Sequence, residues 1–130
     1  MEQVINRYNL NKEFVAQGTL IIDHKSQLTT LRYSDTEIDE SVSELYHPLK
    51  ALESLRVVLE QKHKSLIACT GCRNDSAYRA TGGNGTYILI HGRPGTERAG
   101  LFEPTDEISK LCTVQEHKIA YKKWCDSLRG

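Results

Sequence analysis

This chain of 130 residues lacks the features that identify several large classes of protein. It has no net charge, because 17 basic residues balance 17 acidic ones. Proteins that bind nucleic acids usually carry a basic excess, so we expect no direct binding to nucleic acid. No hydrophobic run approaches the roughly 20 residues of a membrane-spanning helix, and we expect no membrane partner. The first residues form no hydrophobic signal-peptide core, which predicts a cytoplasmic location.

The chain also lacks a second cysteine pair to match its one CxxC motif. Its 4 cysteines are Cys69, Cys72, Cys112 and Cys125. Structural zinc sites normally need two close pairs of Cys or His, so we expect that the chain binds no metal. Cys69 and Cys72 are the residues at which zinc should be tested. We expect no cofactor. A thioredoxin-like motif would begin a helix, whereas this one follows a predicted strand. We interpret both thiols as reduced, with Cys69 buried at the strand end and Cys72 in a loop.

Hydrophobic and β-branched residues in short runs predict strands. They cover residues 3–10, 13–23, 27–33, 65–69 and 86–92, with a short edge strand at Leu101 and Phe102. The connections between the first three are short enough for an antiparallel meander. Residues 71–85 are predicted as a long loop, and the segment after the 86–92 strand as a turn.

Two helices are predicted from hydrophobic spacing and capping residues. Pro48 suits the first position of a helix that ends near Lys62. Its apolar stripe is Leu45, Leu49, Leu52, Leu55, Val58 and Leu59, and its polar face is Lys50, Glu53, Arg56 and Glu60. Thr113 and Glu116 form a capping box that begins the second helix, which we expect to dock on the sheet through Tyr121 and Trp124.

These elements together predict the fold class. The whole chain, residues 1–130, is predicted as a single α+β domain. We expect an antiparallel or mixed sheet of about five strands with two main helices.

Glycine is concentrated in one part of the chain, since seven of the 9 glycines lie between Gly71 and Gly100. Such density marks loops of unusual backbone conformation, and functional groups are often placed on them. We hypothesise that the loop of residues 69–85 binds an anion or another small ligand, as a binding domain or an enzyme. Its candidate residues, with one from the strand beyond, are Arg73, Asn74, Asp75, Tyr78, Arg79, Gly82, Gly83 and His91. Arg73 and Arg79 would bind the anion, and Asp75 or His91 would act as acid or base. The alternative is that the arginines are loop charges that keep the protein soluble.

Acidic residues are clustered before the first predicted helix. Asp35, Glu37, Asp39, Glu40 and Glu44 lie within ten positions, with no Lys or Arg among them. Carboxylates in this arrangement would complement the basic cleft of a toxin that acts on nucleic acid, and such complementarity increases the rate and specificity of binding. The alternative is that they flank the helix N-terminus, where the helix dipole favours negative charge.

Segments of the second half resemble a group of small, uncharacterised bacterial proteins. They are residues 66–75, 82–87, 101–106 and 113–117. The group shares a strand, an Arg/Asp loop, a Gly-Gly turn, another strand and a capped final helix, so the resemblance implies that order here and transfers no catalytic residue. In size and α+β composition the chain is also similar to the immunity proteins of bacterial toxin systems.

The function that we predict first is binding to another protein. No complete catalytic constellation is present in the sequence, which favours a non-enzymatic protein. Most concretely, we predict an immunity-type inhibitor that blocks a bacterial toxin through the acidic cluster. The alternative is the ligand-binding or enzymatic function of the loop at residues 69–85.

Overall fold

Two antiparallel sheets and two helices make up the computed structural model, which describes residues 1–78, 85–90 and 92–129. The larger sheet has five strands in the order β4-β3-β2-β1-β5. These strands are β1 (Glu2–Asn9), β2 (Phe14–Lys25), β3 (Leu28–Ser34), β4 (Asp39–Leu45) and β5 (Ser65–Ile67). The smaller sheet has the order β6-β7-β8, with β6 (Ser76–Tyr78), β7 (Gly85–Ile90) and β8 (Arg93–Gly100). The helices are α1 (Pro48–His63) and α2 (Val114–Ser127).

The alternation of side chains along β2 and β3 explains why the large sheet has one buried face. Leu20 pairs with Tyr33 and Ile22 with Leu31, and all four side chains belong to the core. Gly18 lies on the same face, where a Cβ would press on the Tyr33 ring and lie 2.8 Å from the Ser34 carbonyl oxygen. Glycine is therefore required where the Tyr33 side chain crosses β2.

Helix α1 covers this buried face and connects its two edges. It begins with Pro48 as predicted, leaves edge strand β4 and delivers the chain to β5 at the opposite edge. Leu52, Leu55 and Leu59 are fully buried against the core residues of the strands. The helix ends at His63, and Lys64 caps it with a φ of 49° that turns the chain into β5.

The predicted α+β fold with a five-stranded sheet and two helices is confirmed, and several local predictions are corrected. The acidic run was not predicted as a strand, yet residues 39–45 form β4, because β3 supplies a full ladder of backbone partners. Strand β8 forms where a turn was predicted, since Gly92, with a φ of 76°, reverses the chain beside β7. Leu101 and Phe102 form a buried turn instead of an edge strand. The predicted loop contains a 3-10 turn (Thr70–Cys72) and β6.

Helix α2 begins with the predicted capping box, in which Thr113 Oγ1 accepts from the Glu116 amide at 3.2 Å and the Thr113 amide donates to Glu116 Oε1 at 2.9 Å. Helix α2 buries less of its surface against the sheets than predicted. Trp124 Nε1 donates to the carbonyl oxygen of Ile90 in β7 at 3.0 Å, but Tyr121 is 46% exposed. No helix in the described part of the chain has the length and hydrophobicity needed to cross a bilayer.

Candidate functional site

The CxxC motif forms a tightly held turn between the large sheet and the rest of the chain. The Thr70 amide donates to the Glu103 carbonyl at 2.8 Å, and the Gly71 amide donates to the Leu101 carbonyl at 2.9 Å. A Cβ at Gly71 would lie 2.6 Å from Leu101 Cδ1 and 2.7 Å from Leu52 Cδ2. Glycine is therefore needed here, because the turn is packed between α1 and residues 101–103.

Arg56 extends from α1 to this turn and is only 4% exposed. Its Nη2 donates to the Cys112 carbonyl at 2.9 Å, and its Nη1 donates to His117 Nδ1 at 2.9 Å and to the Gly71 carbonyl at 3.4 Å. Among the described residues, no carboxylate forms an ion pair with this guanidinium. A buried positive charge is thus held by uncharged acceptors, an arrangement that favours an additional anionic partner.

The contacts of His117 assign its protonation state. Arginine can only donate, so His117 Nδ1 must accept from Arg56 and is unprotonated. Nε2 carries the proton and donates to the Ser76 carbonyl oxygen at 2.8 Å. Burial, reinforced by the charge of Arg56, holds the pKa of His117 below its ordinary value. His117 is therefore neutral, with both ring nitrogens engaged inside the protein.

Three cysteines lie near enough to the same guanidinium to interact with its charge. Cys69 Sγ and Cys72 Sγ are 3.0 Å apart, and both residues are buried. Cys112 Sγ lies 3.7 Å from Arg56 Nη2 and donates to the Cys72 carbonyl at 3.6 Å. Within residues 1–78, 85–90 and 92–129, no three His, Cys, Asp or Glu side chains are arranged to hold a metal ion.

The three thiols differ in acidity. Donation of the Cys69 thiol to Cys72, together with burial, raises the pKa of Cys69 well above its ordinary value. Burial opposes ionisation of Cys72, but the bond from Cys69 and the charge of Arg56 outweigh it and lower the pKa of Cys72. Burial raises the pKa of Cys112 to about 11. Cys72 is therefore the thiol of this cluster that ionises first.

A pocket of about 340 Å³ opens beside Arg56, between α1, α2 and the CxxC turn. Its apolar walls include Leu49, Ala77, Leu101 and Tyr121. Its polar groups are Glu53, Arg56, Ser76, His117 and Lys118. The volume falls at the small end of the range of roughly 300–1,000 Å³ that is usual for small-molecule sites. The combination of apolar walls with a few convergent polar groups is typical of such sites.

The predicted ligand loop contributes to this pocket through residues other than those predicted. Arg73 and Asp75 bond to each other, with Nε–Oδ1 and Nη2–Oδ2 distances of 2.8 Å and 2.7 Å. The Asn74 amide donates to the Lys110 carbonyl at 2.7 Å. Gly71, Ser76 and Ala77 line the pocket instead. Arg79, Gly82, Gly83 and His91 lie outside the described residues, as does the side chain of Tyr78.

The acidic cluster occupies β4 and the turn that precedes it, and each of its carboxylates contacts another side chain. Asp35 and Glu37 accept from Arg7, Asp39 from Arg32, Glu40 from His63 and Glu44 from Ser54. The Asp35 side chain is fully buried, so no partner reaches it in this fold. Glu37 and Asp39 keep 60% and 53% of their side-chain surface exposed and are the members most accessible to a partner protein.

Arg56 and His117 are the central residues of the site that sequence reasoning missed, Arg56 because its charge placed it on the outer face of α1. The spacing of the neighbouring leucines nevertheless indicated that this position is buried. Leu52, Leu55, Arg56 and Leu59 follow the i, i+3, i+4, i+7 spacing of a buried helical stripe. A charged residue at a core position of this pattern indicates a buried charge with a specific set of partners.

The neutral state of His117 predicts a pH dependence of stability. The folded-state pKa is lowered, so the unfolded chain binds more protons as the pH falls below the ordinary value of 6.5. We expect the contribution of His117 to stability to be present above this pH and to be lost below it. Besides Arg56, the charges of Glu53 and Asp75 act on the ring, and both favour its protonation.

Urea unfolding between pH 7.5 and pH 5.5 measures this loss. The variant His117→Asn keeps an acceptor for Arg56 and removes the titrating ring, so its stability should change less with pH. The matched variant His24→Asn, at an exposed histidine, should retain the wild-type slope. Equal slopes in all three proteins would show that His117 is not the titrating group.

Comparisons of the chain with family models, with curated proteins and with solved structures found no match. The resemblance of the second half to small bacterial proteins therefore stays a prediction, and the geometry of the site carries the functional argument.

Proposed function

We propose that this protein binds a small organic acid, with a carboxylate on an apolar body, in the pocket between α1 and α2. The observation that carries the proposal is the Arg56 guanidinium, which lines the pocket and forms no ion pair with a carboxylate in the described part of the chain. The bonds of Nη1 and Nη2 to His117, Gly71 and Cys112 leave the positive charge of Arg56 uncompensated, and a carboxylate near the guanidinium would neutralise that charge.

The remaining walls of the pocket support the same ligand chemistry. Leu49, Leu101 and Tyr121 offer an apolar surface to the body of the ligand. Lys118 adds a second positive charge at the α2 wall, whereas Glu53 adds a negative one. Glu53 disfavours a ligand with several negative charges, so a monocarboxylate fits better than a phosphate or a dicarboxylate.

Binding is favoured over catalysis by the state of His117. A general base needs a free nitrogen within reach of the substrate, but both nitrogens of His117 are bonded inside the protein. The immunity-type inhibitor remains a prediction with less support, because the carboxylates proposed for it take part in intramolecular bonds. A toxin would have to bind mainly through Glu37 and Asp39, the two most exposed of them.

Amide chemical shifts in a titration test the proposal. Benzoate and hexanoate are expected to shift the amide signals of Gly71, Ala77 and Tyr121, whereas benzamide and hexanamide are expected to bind much more weakly. Ala77→Phe places an aromatic ring in the pocket and should abolish binding of the acids. Lys118→Ala should weaken binding by about two- to fivefold, as expected for an exposed charge pair.

Lys122→Ala is the matched control for Lys118→Ala. Lys122 is exposed on the same helix, one turn further on, and does not line the pocket. Its substitution should leave binding unchanged. The proposal would be wrong if acids and amides bound equally, or if Ala77→Phe bound benzoate as the wild type does.

A further inference from the structure

We propose that Cys69 and Cys72 form a reversible redox pair that a small peroxide oxidises to a disulfide. This reaction does not require a bound carboxylate, although it uses the charge of the same Arg56. It rests on three observations, namely the distance between the two sulfurs, the position of Arg56 and the way in which the turn is covered.

The two sulfurs are already in contact. They are separated by 3.0 Å and belong to one CxxC turn, so forming an S–S bond of about 2.05 Å requires small side-chain rotations. Cys112 Sγ is directed at the Cys72 carbonyl oxygen rather than at a sulfur. Cys125 lies on α2 and is partly exposed. The geometry therefore selects the 69–72 pair.

Arg56 supplies the charge that a nucleophilic thiolate needs. Its guanidinium contacts Cys112, is close enough to Cys72 for their charges to interact, and forms no ion pair with a described carboxylate, so an anionic Cys72 would compensate a buried positive charge. Once Cys72 is ionised, the Cys69 thiol can donate to its sulfur across the 3.0 Å contact, which stabilises the anion further. The lowered pKa of Cys72 agrees with this assignment of the nucleophile.

The covering of the turn restricts the oxidant to a small molecule. Cys69 is 0% exposed and Cys72 is 2% exposed, so a disulfide on another protein could not reach them. Of the two residues between the cysteines, Gly71 lines the pocket, so the turn reaches the pocket wall at that position. Hydrogen peroxide, which is about the size of two water molecules, is the class of oxidant that this approach admits.

The reaction balances with one peroxide. The Cys72 thiolate attacks one peroxide oxygen, the S–O bond forms, the O–O bond breaks, and the departing hydroxide takes a proton to become water. The Cys69 thiol then loses its proton as its sulfur attacks the Cys72 sulfur. The S–S bond forms, the S–O bond breaks, and a second water leaves. Two thiols are oxidised and one peroxide is reduced to two waters.

Thiol mapping by mass spectrometry tests the proposal on the wild-type protein. After treatment with hydrogen peroxide, the protein is unfolded, its free thiols are alkylated, and its peptides are mapped. We expect the thiols of Cys69 and Cys72 to be lost together as a cross-link that dithiothreitol reverses. Cys112 and Cys125 should remain free. In urea this selectivity should disappear, because it depends on the fold.

Two variants distinguish the thiolate that attacks the peroxide, Cys72, from the thiol that completes the disulfide, Cys69. Cys69→Ser should stop at a sulfenic acid on Cys72, which dimedone traps. In Cys72→Ser, the rate at which peroxide oxidises Cys69 should fall by about tenfold or more, since the reactive thiolate is absent. Cys125→Ser is the matched control and should react as the wild type does. Oxidation of Cys112 or Cys125 before the pair, or an unreactive pair in the wild-type protein, would overturn the proposal even if a variant failed to fold.

Discussion

Replacing Asp35 with alanine is expected to lower the free energy of unfolding by about 3–5 kcal/mol, because it removes the closer and fully buried of the two carboxylates that pair with the buried Arg7 guanidinium. Asp35 accepts from Arg7 Nε at 2.7 Å, from Tyr33 Oη at 2.9 Å and from the amide of Glu37 at 2.8 Å. The Arg7 side chain is 5% exposed and that of Asp35 is fully buried, so water cannot replace these bonds.

Lowering the pH should remove the stability that the Asp35 carboxylate contributes. Burial opposes ionisation of Asp35, but the bonds from Arg7, the amides and Tyr33 outweigh it and lower its pKa from 3.8 to about 2. A lowered carboxyl pKa means that this stability is present above pH 3.8 and is lost as the pH falls toward 2.

Asp39→Ala is the matched control, measured with Asp35→Ala by urea unfolding at pH 7. Asp39 makes two equally short bonds to Arg32, at 2.8 Å and 2.6 Å, but about half of each side chain is exposed. Exposed ion pairs contribute little to stability, because water screens them, so this variant should be nearly as stable as the wild type. Similar losses in the two variants would contradict the structural role of Asp35.

Replacing Arg56 with alanine is expected to cost about 3 kcal/mol or more of stability. The change removes the donor to the Cys112 carbonyl and to His117 Nδ1, and each buried group left without a partner costs about 1–3 kcal/mol. The cavity left by the side chain adds to the loss. Arg56→Met, which fills most of the volume without donating, should lie between Arg56→Ala and the wild type.

Arg32→Ala is the matched control for this arginine, since its side chain is 52% exposed and its partner lies at the surface. All variants should be compared in the absence of added carboxylate, so that ligand binding does not contribute. A loss below about 1 kcal/mol in Arg56→Ala would show that its partners find other donors, and the site would then not depend on Arg56 for its shape.

The elements that the sequence predicts correctly are those with local signals. The leucines of α1 from Leu49 to Leu59, the Thr113 capping box and the hydrophobic and β-branched runs of β2 and β3 each depend on neighbours within a few positions. Leu45, which was predicted in the same stripe, lies in β4 instead and is 53% exposed. Strand β4 carries two hydrophobic residues, Val42 and Leu45, among acids and serines, so its pattern does not distinguish it from a solvated loop. It is a strand because β3 pairs with it along its whole length.

The site was predictable only in part, because it joins residues that are far apart in the chain. The CxxC motif and the following segment were identified as functional candidates, and residues 71, 76 and 77 do line the pocket. Arg56 and His117 are 61 positions apart, and no local pattern indicates that they meet. Asp35 was predicted as one of a cluster of exposed acids. It is buried because Arg7, 28 positions earlier in the chain, binds its carboxylate, and the local sequence does not indicate that contact.

The acidic character of β4 also bears on how copies of this chain meet one another. As the outermost strand of its sheet, β4 leaves one row of backbone groups unpaired, and such rows promote aggregation by edge-to-edge pairing. Two antiparallel copies centred on Val42 would place Glu40 of each strand opposite Glu44 of the other. Like charges directly opposite each other are destabilising, so the run that resembles a binding surface protects an open edge from self-association.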